Sequence, residues 1–308
     1  VKAAWAAADS LSRKSIYVRT TFTSQQKKVK QAVVNICGLG LYELSINGKK
    51  VGNSEFTPLI SDYDKSVWYN TYDVTTLLQK GNNAIGVLLG NGFYNVQGGR
   101  YRKLLISFGP PTVRLQLTIH YEDGTSQTVA SDKTWKYDFS PVTFNCIYGG
   151  EDYDARQEQK GWNMAKFNDA LWHQVVVQEG PKGVLRPQIA APVAIMEHYS
   201  PISATHLPDS LLAAASKSTK RKVDASAIVL DMGQNLAGFP EITVKGKKGQ
   251  TVTLLVAEAL TPEGACNQRQ TGRQHYYQYT LKGDGEETWH PRSVSYTHLR
   301  AHETCADL

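Results

Sequence analysis

The run from Tyr148 to Glu158 holds the densest set of chemically useful side chains in this 308-residue sequence. Glu151, Asp152, Asp154 and Glu158 stand there beside Arg156, Tyr148, Tyr153 and the pair Gly149-Gly150, and Gly161-Trp162 closes the stretch. Glycine accepts backbone angles that other residues avoid. A guanidinium grips a carboxylate or a sugar hydroxyl with a fixed fork of donors, and tyrosines offer flat apolar faces with polar ends. That mix suits a neutral polyhydroxylated ligand, or a hard cation such as calcium that takes oxygen ligands. The same residues also suit a turn in which Arg156 pairs with its neighbouring acids and pins a loop on a β-sandwich. Residue types alone favour this plainer reading.

The elements that must position such a stretch read as strands. Residues 16–24 alternate in polarity, residues 112–121 alternate cleanly, and 126–130 return after the turn Glu122-Asp123-Gly124. Leu41 to Val51 is a strand running into an Asn47-Gly48 hairpin turn, the strongest short hairpin signal. Residues 84–89 form a continuous buried strand that ends at Gly90-Asn91-Gly92-Phe93-Tyr94. Asp73 to Leu78 predicts one helical turn with Asp73 as its cap. After a proline-punctuated segment, residues 203–222 are polar and low in complexity, which predicts an exposed loop with one helical turn. Further strands are expected at 227–230, 242–244, 251–256, 276–281 and 286–289. No helix long enough to organise a domain is expected. Short strands between frequent turns predict an all-β fold of two β-sandwich, jelly-roll-like domains in tandem. The expected units are residues 1–190 and 191–293.

Composition excludes several classes. With 41% hydrophobic residues, the chain can build a core. The formal charge is +6, but the basic clusters near Lys27, Lys220 and Lys247 fall in turns and linkers. A nucleic-acid groove would interleave cations with aromatics on one face, so no nucleic-acid partner is expected. No run approaches the roughly 18 apolar residues of a membrane span, so no membrane partner is expected either. Cysteines at 37, 146, 266 and 305 form no close pair, which excludes a zinc knuckle or a CxxC motif. Cys37 lies in an apolar run, where a buried free thiol is the default, and a Cys37–Cys146 disulfide is left open.

Taken in order, the motifs resemble the front part of bacterial α-L-rhamnosidases of glycoside hydrolase family 78. The matching pieces are Leu41 to Gly52, Gly90 to Tyr94 and Tyr148 to Glu158 in the first unit. In the second they are Asp231 to Gly238, Ala257 to Leu260 and Tyr279 to Gly285. Single motifs are weak, but the ordered set is specific and covers about residues 5–293. The resemblance implies supporting β-domains, with the second incomplete at its C-terminal end. The inverting enzyme's catalytic acids would lie on a helical barrel beyond this sequence. Inverting hydrolysis needs two carboxylates roughly 6.5–9.5 Å apart, and the resemblance places that pair elsewhere than in Glu151–Glu158. The chain alone is therefore expected to be inactive, with the catalytic domain of the same parent chain as its partner. Residues 294–308 depart from the pattern and are expected to be a non-native tail. A bacterial location is implied, periplasmic or secreted on one reading and cytoplasmic on the other.

The resemblance also implies weak binding of L-rhamnose-containing glycans. Some members of the family carry a rhamnose and calcium site on a jelly-roll domain. By that likeness Asn91 is the first candidate for sugar or metal, with Glu151 beside it for the metal. Glu151, Asp154 and Arg156 are further sugar candidates, and Tyr94 and Tyr153 could stack on a sugar face. No cofactor is required, and calcium is the metal these oxygen donors admit. The alternatives are a tight turn that needs Asn91 and its glycines for their dihedrals, purely structural domains, or an independent lectin-like module. Asp231, Gln234, Asn235 and Glu258 are read as structural.

Overall fold

The computed structural model describes residues 3–7, 14–96, 98, 100, 104–219, 222–224, 226–269 and 274–292. The expected non-native tail and Cys305 lie outside the described residues. Strands dominate, as the alternating sequence pattern requires, and a single α-helix occurs among the described residues. The molecule is all-β.

The strand Thr112–Tyr121 shows why. Val113, Leu115, Leu117, Ile119 and Tyr121 are buried, while the intervening side chains face outward. This strand lies inside a seven-stranded sheet, between Trp5–Ala7 and Val29–Leu39, with Ser66–Asp73 and Val184–Pro187 beyond. A six-stranded sheet packs against it, with the order His173–Gln174, Lys136–Phe139, Ile16–Thr23, Asn82–Gly90, Leu41–Ile46, Lys49–Lys50. One core fills the space between them, with Val34, Ile36 and Leu117 from one sheet meeting Val18, Leu44, Ile85 and Val87 from the other. Burying each such side chain contributes roughly 1.5–3 kcal/mol.

The hairpin signal at Asn47-Gly48 is a tight turn with φ of 51° and 82°, joining Leu41–Ile46 to Lys49–Lys50. The Asn47 side chain donates to Leu77 O (2.9 Å) and Asn83 Oδ1 (2.8 Å) and accepts from the Ala84 N–H (2.9 Å). This locks the turn to the neighbouring strand. The short helical turn is Thr75–Leu77, and its cap position is Val74. Asp73 acts one residue earlier than a cap, accepting from Thr75 N–H and its hydroxyl.

A four-stranded sheet crosses residue 190. Val142–Cys146 and Gly150–Asp154 form a hairpin. The second of these strands pairs in parallel with Tyr276–Thr280, which pairs in turn with Thr251–Leu255. Ile242–Lys245 pairs with Glu286–Trp289. All of them pack into a second core that draws Tyr17, Leu41 and Leu88 from the first sandwich and Tyr277, Tyr279, Leu281 and Trp289 from later in the chain.

One further expectation needs correction. Residues 203–222 are not a loop with one helical turn. They contain the strand Ser203–His206, paired with Ile228–Asp231, and the helix Asp209–Thr219. Its alanines and leucines are strong helix formers, Asp209 and Lys217 suit the dipole at its two ends, and Ala215 is buried against Leu207 and Ala265. That apolar stripe is too small to give a visible period. The open Cys37–Cys146 disulfide is also resolved: both are free, buried thiols in different clusters.

Candidate functional site

The stretch Tyr148–Glu158 is built on close backbone approach. Gly150 has φ 86°, and a β-carbon there would lie 2.0 Å from the carbonyl oxygen of Tyr276. Only glycine lets the two strands join in register, with Asp152 opposite Gln278 and Tyr153 opposite Tyr279. Beyond the strand, Asp154 caps the short helical turn Ala155–Gln157 by accepting from the Arg156 N–H (3.1 Å). The Arg156 side chain folds back onto the same carboxylate, Nε to Oδ1 at 2.8 Å and the terminal nitrogen to Oδ2 at 2.7 Å. That fork holds the Asp154 carboxyl below its ordinary range.

The chain then turns over a groove of about 670 Å³. Arg156, Glu158, Trp162, Lys248, Lys282 and Arg292 are among the side chains that line it. Trp162 stacks on Tyr17 with ring centroids 4.0 Å apart. It fits against the strand Asn82–Gly90 because Gly86 has no side chain; a β-carbon there would stand 2.7 Å from the indole. Glu158 accepts from the Tyr153 hydroxyl (3.0 Å) and from Lys282 Nζ (2.9 Å). The hydrogen bond that Lys282 donates to Glu158 raises its ammonium above the usual range. A smaller polar hollow of about 180 Å³ lies beside this groove, lined by Asp152, Asp154, Gln278 and Thr280, and Tyr153 borders both.

The sequence candidates therefore do not converge on one point. Arg156 lines the larger groove and Asp154 the smaller hollow. Glu151 is fully buried, and both its carboxylate oxygens accept from the Arg292 N–H, at 3.1 and 3.2 Å. Asn91 is buried too. Its Oδ1 accepts from Asn95 Nδ2 (2.8 Å), its Nδ2 donates to Asn145 O (3.2 Å) and its N–H to Asn145 Oδ1 (2.8 Å). Asn145 is the strand partner of Glu151, so Asn91 and Glu151 are near neighbours. In these contacts the Asn91 Oδ1 and both Glu151 oxygens accept from N–H donors. Among the described residues no group of three or more His, Cys, Asp or Glu side chains could hold a metal ion. Tyr94 lies in a separate cluster, 5.0 Å from the Tyr63 ring and 5.7 Å from Phe108, with its hydroxyl donating to Phe108 O.

Sequence reasoning missed Tyr17, Lys248, Lys282 and Arg292 as groove residues. Each is distant in sequence from the run that drew attention. The one available signal was Trp162, an aromatic placed just after the charged stretch.

Residues 27–197 match the family described as alpha-L-rhamnosidase N-terminal domain. Residues 221–300 match the bacterial alpha-L-rhamnosidase concanavalin-like domain. The chain is similar to an alpha-L-rhamnosidase of Formosa agariphila, at 37% identity over 278 residues, covering 86% of this chain and 27% of that protein. Its structure is similar to an alpha-L-rhamnosidase from Dictyoglumus thermophilum, with TM-score 0.84 and 31% identity, over 97% of this chain and 33% of that one. A second similar structure is a Streptomyces avermitilis alpha-L-rhamnosidase complexed with L-rhamnose, with TM-score 0.76 and 32% identity, over 94% of this chain and 26% of that one. The chain thus spans about a quarter to a third of the length of these relatives. Matched over more than half its length and along both β-units, it belongs to the α-L-rhamnosidase family and corresponds to the N-terminal β-domains of its members.

Proposed function

We propose that this chain is the non-catalytic β-region of an inverting α-L-rhamnosidase acting on terminal α-L-rhamnosides. Its two units, 1–190 and 191–293, orient a catalytic domain of the same parent chain, and it does not hydrolyse substrate alone. The observation that carries this reading is the surface left for such a domain. Ile189, Met196 and Ile202 are 89%, 86% and 72% exposed along one extended segment, and Ile228 and Leu230 continue it on the adjoining strand pair. Apolar side chains left this exposed along one segment support a further domain packing over it. The lengths of the relatives leave room for that domain.

Weak binding of L-rhamnose-bearing glycans belongs to the same reading, with Arg156, Asp154 and Tyr153 the candidates that border open hollows. The competing reading, purely structural domains, draws support from the way Asp154 and Arg156 engage each other. An assay with p-nitrophenyl α-L-rhamnoside tests the main proposal: this chain should give no turnover and the longer parent chain should. Turnover by this chain that survives purification would refute it. Calorimetry with L-rhamnose separates the two readings: heat that disappears in Arg156→Ala supports sugar contact, and no heat leaves the structural one.

A further inference from the structure

The groove beside Trp162 carries a charge pattern that a neutral sugar would leave unmatched. Among the described residues, Arg156, Lys160, Lys248, Lys282 and Arg292 line it against two acids, Glu158 and Asp284. Arg156 is matched by Asp154 and Lys282 by Glu158. Lys160 and Lys248 are exposed and form no ion pair with any described residue. Trp162, half-buried on Tyr17, gives the same hollow an aromatic surface of the kind that packs against a pyranose ring.

We propose that this groove binds a carboxylate-bearing sugar unit of an acidic glycan, with Trp162 against the ring and Lys160 and Lys248 supplying the charge that recognises the carboxylate. The inference rests on the reading above only for glycan as the ligand class. The excess of cations selects an anion, and the open shape admits a unit within a longer chain. A nucleic-acid strand would ask for successive stacking aromatics along a basic track. Among the described residues that line it, Tyr17, Tyr153 and Trp162 are the aromatics, and Tyr17 and Tyr153 are buried, with Tyr17 under Trp162 and Tyr153 against Tyr279.

Calorimetric titration of this chain with trigalacturonate, and separately with its methyl ester, tests the proposal. The acid should bind and the ester should not. Lys160→Glu combined with Lys248→Glu should weaken binding about tenfold or more, and added salt should weaken the unmodified chain's binding as well. Both lysines are exposed, so the double variant should keep its unfolding midpoint, and that is measured alongside. Equal binding of acid and ester, binding unchanged in the folded double variant, or tighter binding of oligothymidylate than of trigalacturonate would each overturn it. The outcomes separate cleanly from the first proposal. An active parent enzyme with a silent trigalacturonate titration removes only the groove assignment. An inactive parent with trigalacturonate bound removes only the rhamnosidase reading.

Discussion

Gly150 and Tyr276 meet backbone to backbone: the Tyr276 carbonyl oxygen lies 2.0 Å from where a β-carbon on Gly150 would stand. This contact begins the parallel pairing that joins the hairpin Val142–Cys146/Gly150–Asp154 to a strand more than a hundred residues later. Arg100 braces the same junction. Its guanidinium donates to Tyr276 O (2.9 Å) and grips Asp152, and it lies 3.5 Å over the Tyr276 ring.

Gly150→Ala should therefore be costly twice over, through strain at positive φ and through collision with the neighbouring strand. A loss of about 3 kcal/mol or more is expected. Chemical denaturation of the variant checks this; an unchanged midpoint would mean that the strands are not this close.

Arg19 is a buried cation in the six-stranded sheet. It pairs with Asp169, donates to Met164 O (2.9 Å) and faces the Phe167 ring. Asp169 also binds Lys136 Nζ at 2.8 Å. Asp169→Ala strands the guanidinium away from water, which should destabilise the fold by roughly 3 kcal/mol. Asp169→Ala with Arg19→Met should recover part of that loss. A double variant less stable than the single one would contradict the buried-charge account.

His275 is buried with Nε2 2.9 Å from the Tyr277 hydroxyl. Burial first, and the charge of Arg100 second, push its pKa down to about 4 from the ordinary 6.5. The folded state thus keeps it neutral while the unfolded chain protonates it. Between pH 6.5 and 4 the unfolded state holds more protons, so stability is full above that window and falls as the pH drops through it. The loss across the window should be on the order of 3 kcal/mol. His275→Gln should flatten this part of the stability–pH curve, and a curve identical to the parent's would exclude His275 as its source.

The exposed row Ile189, Met196 and Ile202 should make this chain bind 8-anilinonaphthalene sulfonate in its native state. Replacing all three by serine should remove most of that fluorescence with little change in stability, because these side chains pack against so little. No fluorescence from this chain, monodisperse in light scattering, would contradict an open apolar surface here.

Several of these features could be read from the sequence. The alternation of residues 112–121 and the Asn47-Gly48 turn are local signals, and the structure places a strand and a hairpin on those residues. The helix Asp209–Thr219 was missed because its buried face is little more than Leu212 and Ala215, too small to stand out from a polar run. The chemistry at Glu151 was also beyond sequence reasoning: a carboxylate in a charged stretch looks available, yet this one is fully buried against the Arg292 N–H.

The sequence by itself determined the all-β class, the positions of most strands and, through the order of its motifs, the family. Side-chain alternation and turn chemistry act over a few residues, so they are written locally. Only the tertiary structure decided that Gly150–Asp154 pairs with Tyr276–Thr280, that Trp162 seats on Gly86 and Tyr17, and that Lys160 and Lys248 line one groove. Those meetings depend on which apolar faces are buried together across long stretches of chain, and no local pattern encodes the partner.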